Sequence, residues 1–166
     1  MKKLLVPFCL TLIIFIGSAG VGWSASLKKD LYAERRGDCA TFLREFIPLA
    51  EQKIVTPQAI LGLMYREGQG LPQDYKTAVK WLKLAAEPGD AYPESQGNLA
   101  FRYEDGWGVK KDLVYAYMWH SISKTNGLVE PGDMGMLMLE FKMTPSQIER
   151  AQDLAPECVS RNYKDC

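Results

Sequence analysis

A serine and a lysine in the second half of the chain have the spacing of a known catalytic pair. In the segment SISK, Ser121 precedes Lys124 by three residues, as in the serine nucleophile motif of penicillin-recognising enzymes. That class carries two further signatures, S-D-N and K-T-G, and both are absent, although KTN at 124–126 approaches the second. Hydrolysis of peptidoglycan or β-lactams is therefore kept only as an alternative function.

A glycine-rich stretch, YREGQGLPQDY at 65–75, suggests a loop that cradles phosphate. It lacks the Lys-Ser/Thr ending with which a Walker-type loop binds phosphate and magnesium. A similar stretch, YEDGWGVKKDL at 103–113, follows 38 residues downstream. A catalytic loop has no reason to occur twice at a fixed spacing with its flanking helices, whereas a structural unit does. We therefore interpret both stretches as joints between helices.

The other residues with acid–base or metal chemistry do not form a group in the sequence. His120 is the only histidine and there is no C-x-x-C motif, so no zinc site of the usual spacing is expected. We expect His120 to lie at the surface or half-buried on a helix. Glu67, Glu104 and Asp105 lie at the ends of predicted helices, where a solvated face explains them better than catalysis. The sequence predicts no catalytic residue, no metal and no cofactor.

The N-terminus has the order of a secretory signal peptide. Lys2 and Lys3 precede an apolar run and then small residues up to Ala25. An uncleaved anchor is the alternative, because 4–23 is about long enough to span a bilayer. We expect residues 1–25 to be removed, 26–36 to form a linker, and the mature protein to be periplasmic or secreted without membrane contact.

The charge balance argues against nucleic acid as a partner. The 20 basic and 20 acidic residues of the whole chain include two lysines and no acid in the signal segment. After its removal, 18 basic residues face 20 acidic ones. No basic excess remains to neutralise phosphates.

The spacing of 38 residues relates two copies of one helix–turn–helix unit, at about 57–90 and 95–127. In each copy an apolar helix face is followed by two glycines, an aspartate suited to an N-cap, and the apolar stripe of a second helix. The matched structural residues are Leu61, Tyr65, Gly68, Gly70, Asp74, Ala78 and Trp81 in the first copy, and Leu99, Tyr103, Gly106, Gly108, Asp112, Ala116 and Trp119 in the second. Such a hairpin cannot bury its apolar face alone, so an all-α solenoid of stacked antiparallel hairpins is predicted.

Both ends of the predicted solenoid read as incomplete copies. Residues 37–53 are predicted to form a lone helix. After the second copy, Leu137 and Phe141 continue the offset of Leu99 and Tyr103 in a C-terminal capping hairpin at 131–160. Within this hairpin, Thr144 begins a helix with the pattern of a capping box. About seven helices are predicted in the mature chain.

The repeated segments resemble a known family. LGLMYREGQGLPQDYKTAVKWLKLAAEPGD and LAFRYEDGWGVKKDLVYAYMWHSISKTNG are similar to repeats of the Sel1-like family, relatives of tetratricopeptide repeats with a glycine-rich inter-helix loop. The ending MTPSQIERAQDLAPECVSRNYKDC resembles the tail of exported bacterial members. The resemblance covers 37–166 and implies an α/α superhelix that acts as an adaptor, with no conserved reaction. We therefore predict a protein–protein interaction adaptor of the bacterial cell envelope, monomeric and without catalytic activity.

The cysteines of the mature chain predict one disulfide. Export permits disulfides, and Cys158 and Cys166 lie after the last predicted helix with seven residues between them. A bridge between them would tie the C-terminal segment, to residue 166, back onto the cap. Cys39 lies in the first helix, several layers away in a solenoid, and is expected to remain a buried thiol.

A protein or peptide partner is predicted to bind along the first helices of the repeats. Positions close to the core leucines on those helices must point away from the core, and Met64, Asn98 and Arg102 are predicted to line a groove there. Trp107 occupies a turn position that does not require burial and lies on the adjacent loop edge. Tryptophan and arginine are enriched where binding energy concentrates.

Overall fold

The computed structural model describes residues 39–87, 92–128, 132–164 and 166, and within these ranges all regular structure is helical. The elements are α1 (Cys39–Glu51), α2 (Val55–Glu67), α3 (Tyr75–Ala86), α4 (Pro93–Asp105), α5 (Leu113–Thr125), α6 (Gly132–Glu140) and α7 (Pro145–Ser160). The prediction of an all-α solenoid with about seven helices is confirmed. The signal segment, the linker and the side chain of Cys39 lie outside the described residues.

Consecutive helices pack in chain order. The helices α2 and α3 form one hairpin, α4 and α5 form the next, and the first hairpin contacts the second through α3 and α4. One apolar cluster joins α1 to α2 and includes Phe46 and Leu61. A second cluster joins α3, α4, α5 and α7 and includes Val79, Leu99 and Trp119. Each hairpin therefore buries its apolar face against its neighbours, as a solenoid requires.

The glycine-rich turns end α2 and α4 in the left-handed conformation. The φ angles are 70° at Gly68, 68° at Gly70, 77° at Gly106 and 84° at Gly108. Gly68 and Gly106 are the C-caps of α2 and α4. In these turns the glycines shape the backbone between two helices, which is the structural interpretation given above.

Polar side chains cap the helices that follow. Asp74 accepts hydrogen bonds from two backbone N–H groups at the start of α3, and Asp112 does the same at the start of α5. At α7, Thr144 and Gln147 form a reciprocal capping box. Each cap satisfies backbone donors that the helix leaves free, so these short polar signals set where the helices begin.

The C-terminal segment returns along the solenoid. Helix α5 packs against both α6 and α7, and the predicted Cys158–Cys166 disulfide is present with a Cα–Cα distance of 5.8 Å. The backbone carbonyl of Cys166 accepts a hydrogen bond of 3.4 Å from Lys83 Nζ on α3. The end of the chain is thereby fixed beside the first repeat. Among the described helices, none combines the length and apolar character needed to cross a bilayer.

The register of the repeats is not kept in α6. Leu137 is 49% exposed and Phe141 is 82% exposed, although they continue the offset of two core positions. The buried face of α6 instead contains Gly135 and Leu139. Gly135 lies so close to His120 on α5 that an added Cβ would be 2.7 Å from the imidazole ring. Because α6 packs closely on α5 at Gly135, its buried face is not the one that the repeat offset predicts. Leu137 and Phe141 point outward as a result.

Candidate partner-binding surface

The turn between α4 and α5 holds an exposed tryptophan against the preceding repeat. Trp107 is 46% exposed, and its ring stacks on Tyr75 of α3 with centroids 5.2 Å apart and planes inclined by 26°. The neighbouring Gly108 lies directly against the backbone of α3, because an added Cβ would be 2.2 Å from the carbonyl oxygen of Tyr75. The glycine permits this close approach. The loop of the second repeat is thus docked on the first, with Trp107 facing outward.

A buried arginine lies under the two rings. Arg102 of α4 is only 5% exposed, and its Cζ is 4.8 Å from the ring centroid of Trp107 and 6.0 Å from that of Tyr75. Both distances are within the range of cation–π attraction. Burial lowers the pKa of Arg102, and the charge of Arg66 lowers it further, but an arginine stays protonated in a protein. Tyr75, Arg102 and Trp107 are called the Trp107 cluster below.

Asn98 lies beside the cluster and joins the first helices of the two repeats. Its Oδ1 accepts a hydrogen bond from Arg66 Nη1 of α2, and its Nδ2 donates to the backbone carbonyl of Glu94 at 2.7 Å. Arg66 also pairs with Glu67, with 2.6 Å between Nε and Oε1. Asn98 is half-buried, and both its amide oxygen and its amide nitrogen form hydrogen bonds. The sequence predicts that Asn98 lies on this face but does not show that Arg66 donates to it.

Met64 does not line a groove. It is 3% exposed and belongs to the apolar cluster between α1 and α2. The expectation that it points away from the core is wrong, because α1 covers that face of α2. Arg102 also differs from the expectation, since it lies under Trp107 rather than open to solvent. Of the four predicted binding residues, the structure brings Asn98, Arg102 and Trp107 together and separates Met64 from them.

Two residues of this surface were missed by sequence reasoning. Neither Tyr75 nor Arg66 was predicted to contact a partner. Tyr75 follows the N-cap Asp74, and a residue in the first turn of a helix can face a neighbouring loop. Its contact with Trp107 depends on how one repeat stacks on the next, and no local pattern encodes that stacking.

A concave surface lies where the C-terminal segment meets the repeats. An open cleft of about 490 Å³ is lined by Lys83, Tyr103, Val109, Lys110, Asp112, Tyr115 and Cys166. The Lys83 ammonium lies 5.7 Å from the ring centroid of Tyr103. Tyr103 was predicted to face the core and is half-buried at the edge of this cleft. The cleft depends on the return of the C-terminal segment, so the sequence does not show it.

An apolar stripe lies on the outer face of α6 and the residue after it. Its large side chains are Met134, Leu137, Met138 and Phe141, with exposed fractions of 58%, 49%, 50% and 82%. Their spacing of three and four residues places them on one face of a helix. This stripe is exposed because α6 buries Gly135 and Leu139 instead of the positions that the repeat offset predicts.

His120 is fully buried, so the expectation of a surface or half-buried histidine is wrong. The Phe101 ring meets it edge-on at 4.9 Å between centroids, and Gly135 lies against its other side. Neither ring nitrogen has a hydrogen-bond partner in the described part of the chain. Burial lowers the pKa of His120 to about 4. The imidazole is therefore neutral at pH 7 and enclosed, where it cannot exchange a proton with a bound substrate.

The remaining candidates for chemistry are dispersed. Ser121 is half-buried and Lys124 exposed at the end of α5. Glu67 pairs with Arg66, and Glu104 pairs with Lys142 at 2.7 Å. Across the described ranges, no three His, Cys, Asp or Glu side chains come together as metal ligands.

Comparison with known proteins places the two hairpins in a repeat family. The Sel1 repeat model matches residues 58–90 and 93–128. The chain is similar to a protective antigen of uropathogenic Escherichia coli strains that displays an SLR fold, with 27% identity, a TM-score of 0.69, and coverage of 74% of this chain and 26% of that one. It is also similar to a Sel1 repeat protein from Oxalobacter formigenes, with 26% identity, a TM-score of 0.55, and coverage of 68% and 44%. The chain spans less than half the length of either protein.

Proposed function

The chain is a Sel1-like repeat protein, and we propose that it is an adaptor that binds another protein or a peptide in the bacterial cell envelope. Sel1 repeat proteins are generally protein-interaction scaffolds. The observation that carries the proposal for this chain is Trp107, a large side chain that is 46% exposed and stacks on Tyr75. An exposed tryptophan offers a large apolar area for a partner to cover, and tryptophan is enriched among the residues that dominate binding energy.

The proposed contact surface is the Trp107 cluster together with Asn98. Trp107 and the half-buried Tyr75 offer apolar area, while Asn98 and Arg102 offer polar groups at its base. This combination of an aromatic anchor with an arginine is typical of the residues that dominate binding energy. Met64 is not part of the surface because it is buried.

The envelope location is part of the proposal and rests on the N-terminal sequence. The charged, apolar and small-residue order of 1–25 is that of an exported protein. The Cys158–Cys166 disulfide is compatible with such a compartment, where disulfides persist. We propose a periplasmic or secreted monomer that acts without metal, cofactor or nucleic acid.

Site-specific photocrosslinking tests the proposal. A photoreactive tryptophan analogue that keeps the indole ring replaces Trp107 in one variant, and the same analogue replaces Gln52 in the control variant. Gln52 is exposed in the turn between α1 and α2, at the opposite end of α2 from the glycine turns, and a helix of this length separates the two ends by about 20 Å. We expect a discrete protein adduct from position 107, identified by mass spectrometry, that is absent from position 52. Equal adducts at both positions would contradict a specific surface.

The absence of catalysis is proposed separately and has its own test. Purified protein is assayed for nitrocefin hydrolysis and for digestion of peptidoglycan, beside the Ser121→Ala variant. We expect no turnover in either protein. Turnover that disappears with Ser121→Ala would favour the alternative, an envelope hydrolase that uses Ser121 and Lys124.

A further inference from the structure

The buried guanidinium of Arg102 has two nitrogens without a hydrogen-bond acceptor in the described part of the chain. Its side chain is 5% exposed, and neither Nε nor Nη1 has a partner among the described residues. Buried charges are normally paired, because an unsatisfied charged donor away from water destabilises the fold. The rings of Trp107 and Tyr75 attract the guanidinium but do not replace a hydrogen-bond acceptor. The site therefore holds unused donors beneath an exposed ring.

Two carboxylates lie near Arg102, but they leave some of its donors free. Besides burial, Arg66 lowers the pKa of Arg102, whereas Asp105 and Glu67 raise it, so the neighbouring charges offset one another. Glu67 is bound by Arg66, with 2.6 Å between Nε and Oε1, and Asp105 is exposed. Because Nε and Nη1 of Arg102 have no partner among the described residues, an added carboxylate would accept from donors that these neighbours leave free.

We propose that Arg102 binds a carboxylate group of the partner, and that the Trp107 ring turns aside to admit it. The planar guanidinium presents pairs of N–H donors that match the two oxygens of a carboxylate. Arg66 is already bound by Glu67 and Asn98, so one guanidinium is available, which suits a singly charged carboxylate better than a phosphate. The inference rests on the proposed function and specifies the chemistry that the same surface recognises.

Trp107 is the side chain able to open the site. Its ring is the exposed layer over Arg102, and rotation of an exposed side chain is rapid compared with binding. The backbone of the loop need not move, since Gly108 keeps the turn seated against α3. The carboxylate can come from a chain terminus or from an acidic side chain, and both present the same two oxygens.

Three matched peptides test the proposal by nitrogen-15 NMR on the wild-type protein. They are acetyl-trialanine with a free C-terminus, the same peptide as its amide, and acetyl-Ala-Glu-Ala-amide; inorganic phosphate is a fourth probe. The signals followed are Arg102 Nε–H and the Trp107 indole N–H, assigned with the variants Arg102→Lys and Trp107→Phe. We expect saturable shifts of both signals with a carboxylate peptide and none with the amide, and the responding peptide identifies the source of the carboxylate.

The Arg102→Lys variant keeps the charge and removes the planar donor pair. If its circular dichroism matches the wild type, binding of the carboxylate peptide should weaken roughly tenfold or more. The proposal is overturned if neither carboxylate peptide moves the two signals, if the amide moves them equally, or if phosphate alone moves them. Once the two signals are assigned, these titrations are measured on the wild-type protein and need no partner. A specific photocrosslink at position 107 with unmoved signals would leave the adaptor proposal standing and remove this one.

Discussion

Replacement of Gly108 by alanine should destabilise the protein more than the same change at its counterpart, Gly70. Both glycines have left-handed φ angles, 84° and 68°. They differ in their surroundings. An added Cβ at Gly108 would be 2.2 Å from the carbonyl oxygen of Tyr75 and 2.9 Å from the backbone nitrogen of Lys76, whereas Gly70 is exposed. A backbone atom in the first turn of α3 cannot rotate away as a side chain can.

The magnitude follows from two terms. The left-handed conformation costs an alanine about 1–2 kcal/mol relative to glycine, and this term applies to both variants. Relief of the contact at Gly108 requires the loop to withdraw from α3, and overpacking of this kind costs about 1–3 kcal/mol more. We therefore expect a loss of about 1–2 kcal/mol for Gly70→Ala and about 2–5 kcal/mol for Gly108→Ala.

Urea unfolding followed by circular dichroism measures the difference. The free energies of unfolding of wild type, Gly70→Ala and Gly108→Ala are compared at one pH and temperature, with equal slopes as a check that the unfolded state is unchanged. Equal destabilisation of the two variants, within about 0.5 kcal/mol, would refute the reasoning. The loop that carries Trp107 would then not be docked on α3, and the geometry of the Trp107 cluster would fail with it.

Three further predictions concern stability. Burial lowers the pKa of His120 to about 4, although Glu104 acts to raise it. The contribution of His120 to the free energy of unfolding is therefore complete above about pH 6.5, its unfolded pKa, and is lost as the pH falls toward 4. The free energy of unfolding should be about 2 kcal/mol lower at pH 5 than at pH 7. The same slope in His120→Gln would assign that loss to other groups. Reduction of the Cys158–Cys166 disulfide should cost about 2–3 kcal/mol in the chain-entropy model, while a double serine variant should not respond to reductant; a response there would contradict the assignment. Asp112→Ala removes the acceptor for two backbone N–H groups of α5 and should cost about 1 kcal/mol by urea unfolding, so unchanged stability would mean that the cap contributes nothing.

Helix order could be predicted from the sequence because the relevant signals are local. Asp74 and Asp112 precede helices by one residue, and Thr144 begins a complete capping box. The glycines of the two turns recur at the same spacing, which predicts that they are needed for positive φ angles. Each of these signals acts within a few residues of the chain, so it does not depend on how the helices pack.

The orientation of individual side chains could not be predicted where it depends on distant packing. Met64 is buried because α1 covers it, and the sequence does not state which face of α2 that helix selects. His120 is enclosed because α6 approaches it at Gly135. The same approach turns Leu137 outward, although the repeat offset places it at a core position. The 38-residue offset predicts which positions are buried only where the loop and the helix packing are repeated as well.

The candidate site could be predicted only in part, because some of its contacts depend on how the hairpins stack. Trp107 could be recognised because a tryptophan between two turn glycines has no packing role in its own hairpin. Its ring contacts Tyr75 on α3 of the first repeat and Arg102 on α4 of its own repeat. Such contacts exist only after the hairpins stack, which is why the buried state of Arg102 was not anticipated.

The most direct test of the adaptor proposal is the affinity of the partner captured at position 107, measured by calorimetry for wild type, Trp107→Ala and Gln69→Ala. Gln69 occupies the same position in the first glycine turn and serves as the matched control. Loss of a binding hot spot corresponds to an affinity at least roughly tenfold weaker. We predict that loss for Trp107→Ala, with the helical circular dichroism preserved, and wild-type affinity for Gln69→Ala. Wild-type affinity in Trp107→Ala would contradict the proposal that this surface binds the partner.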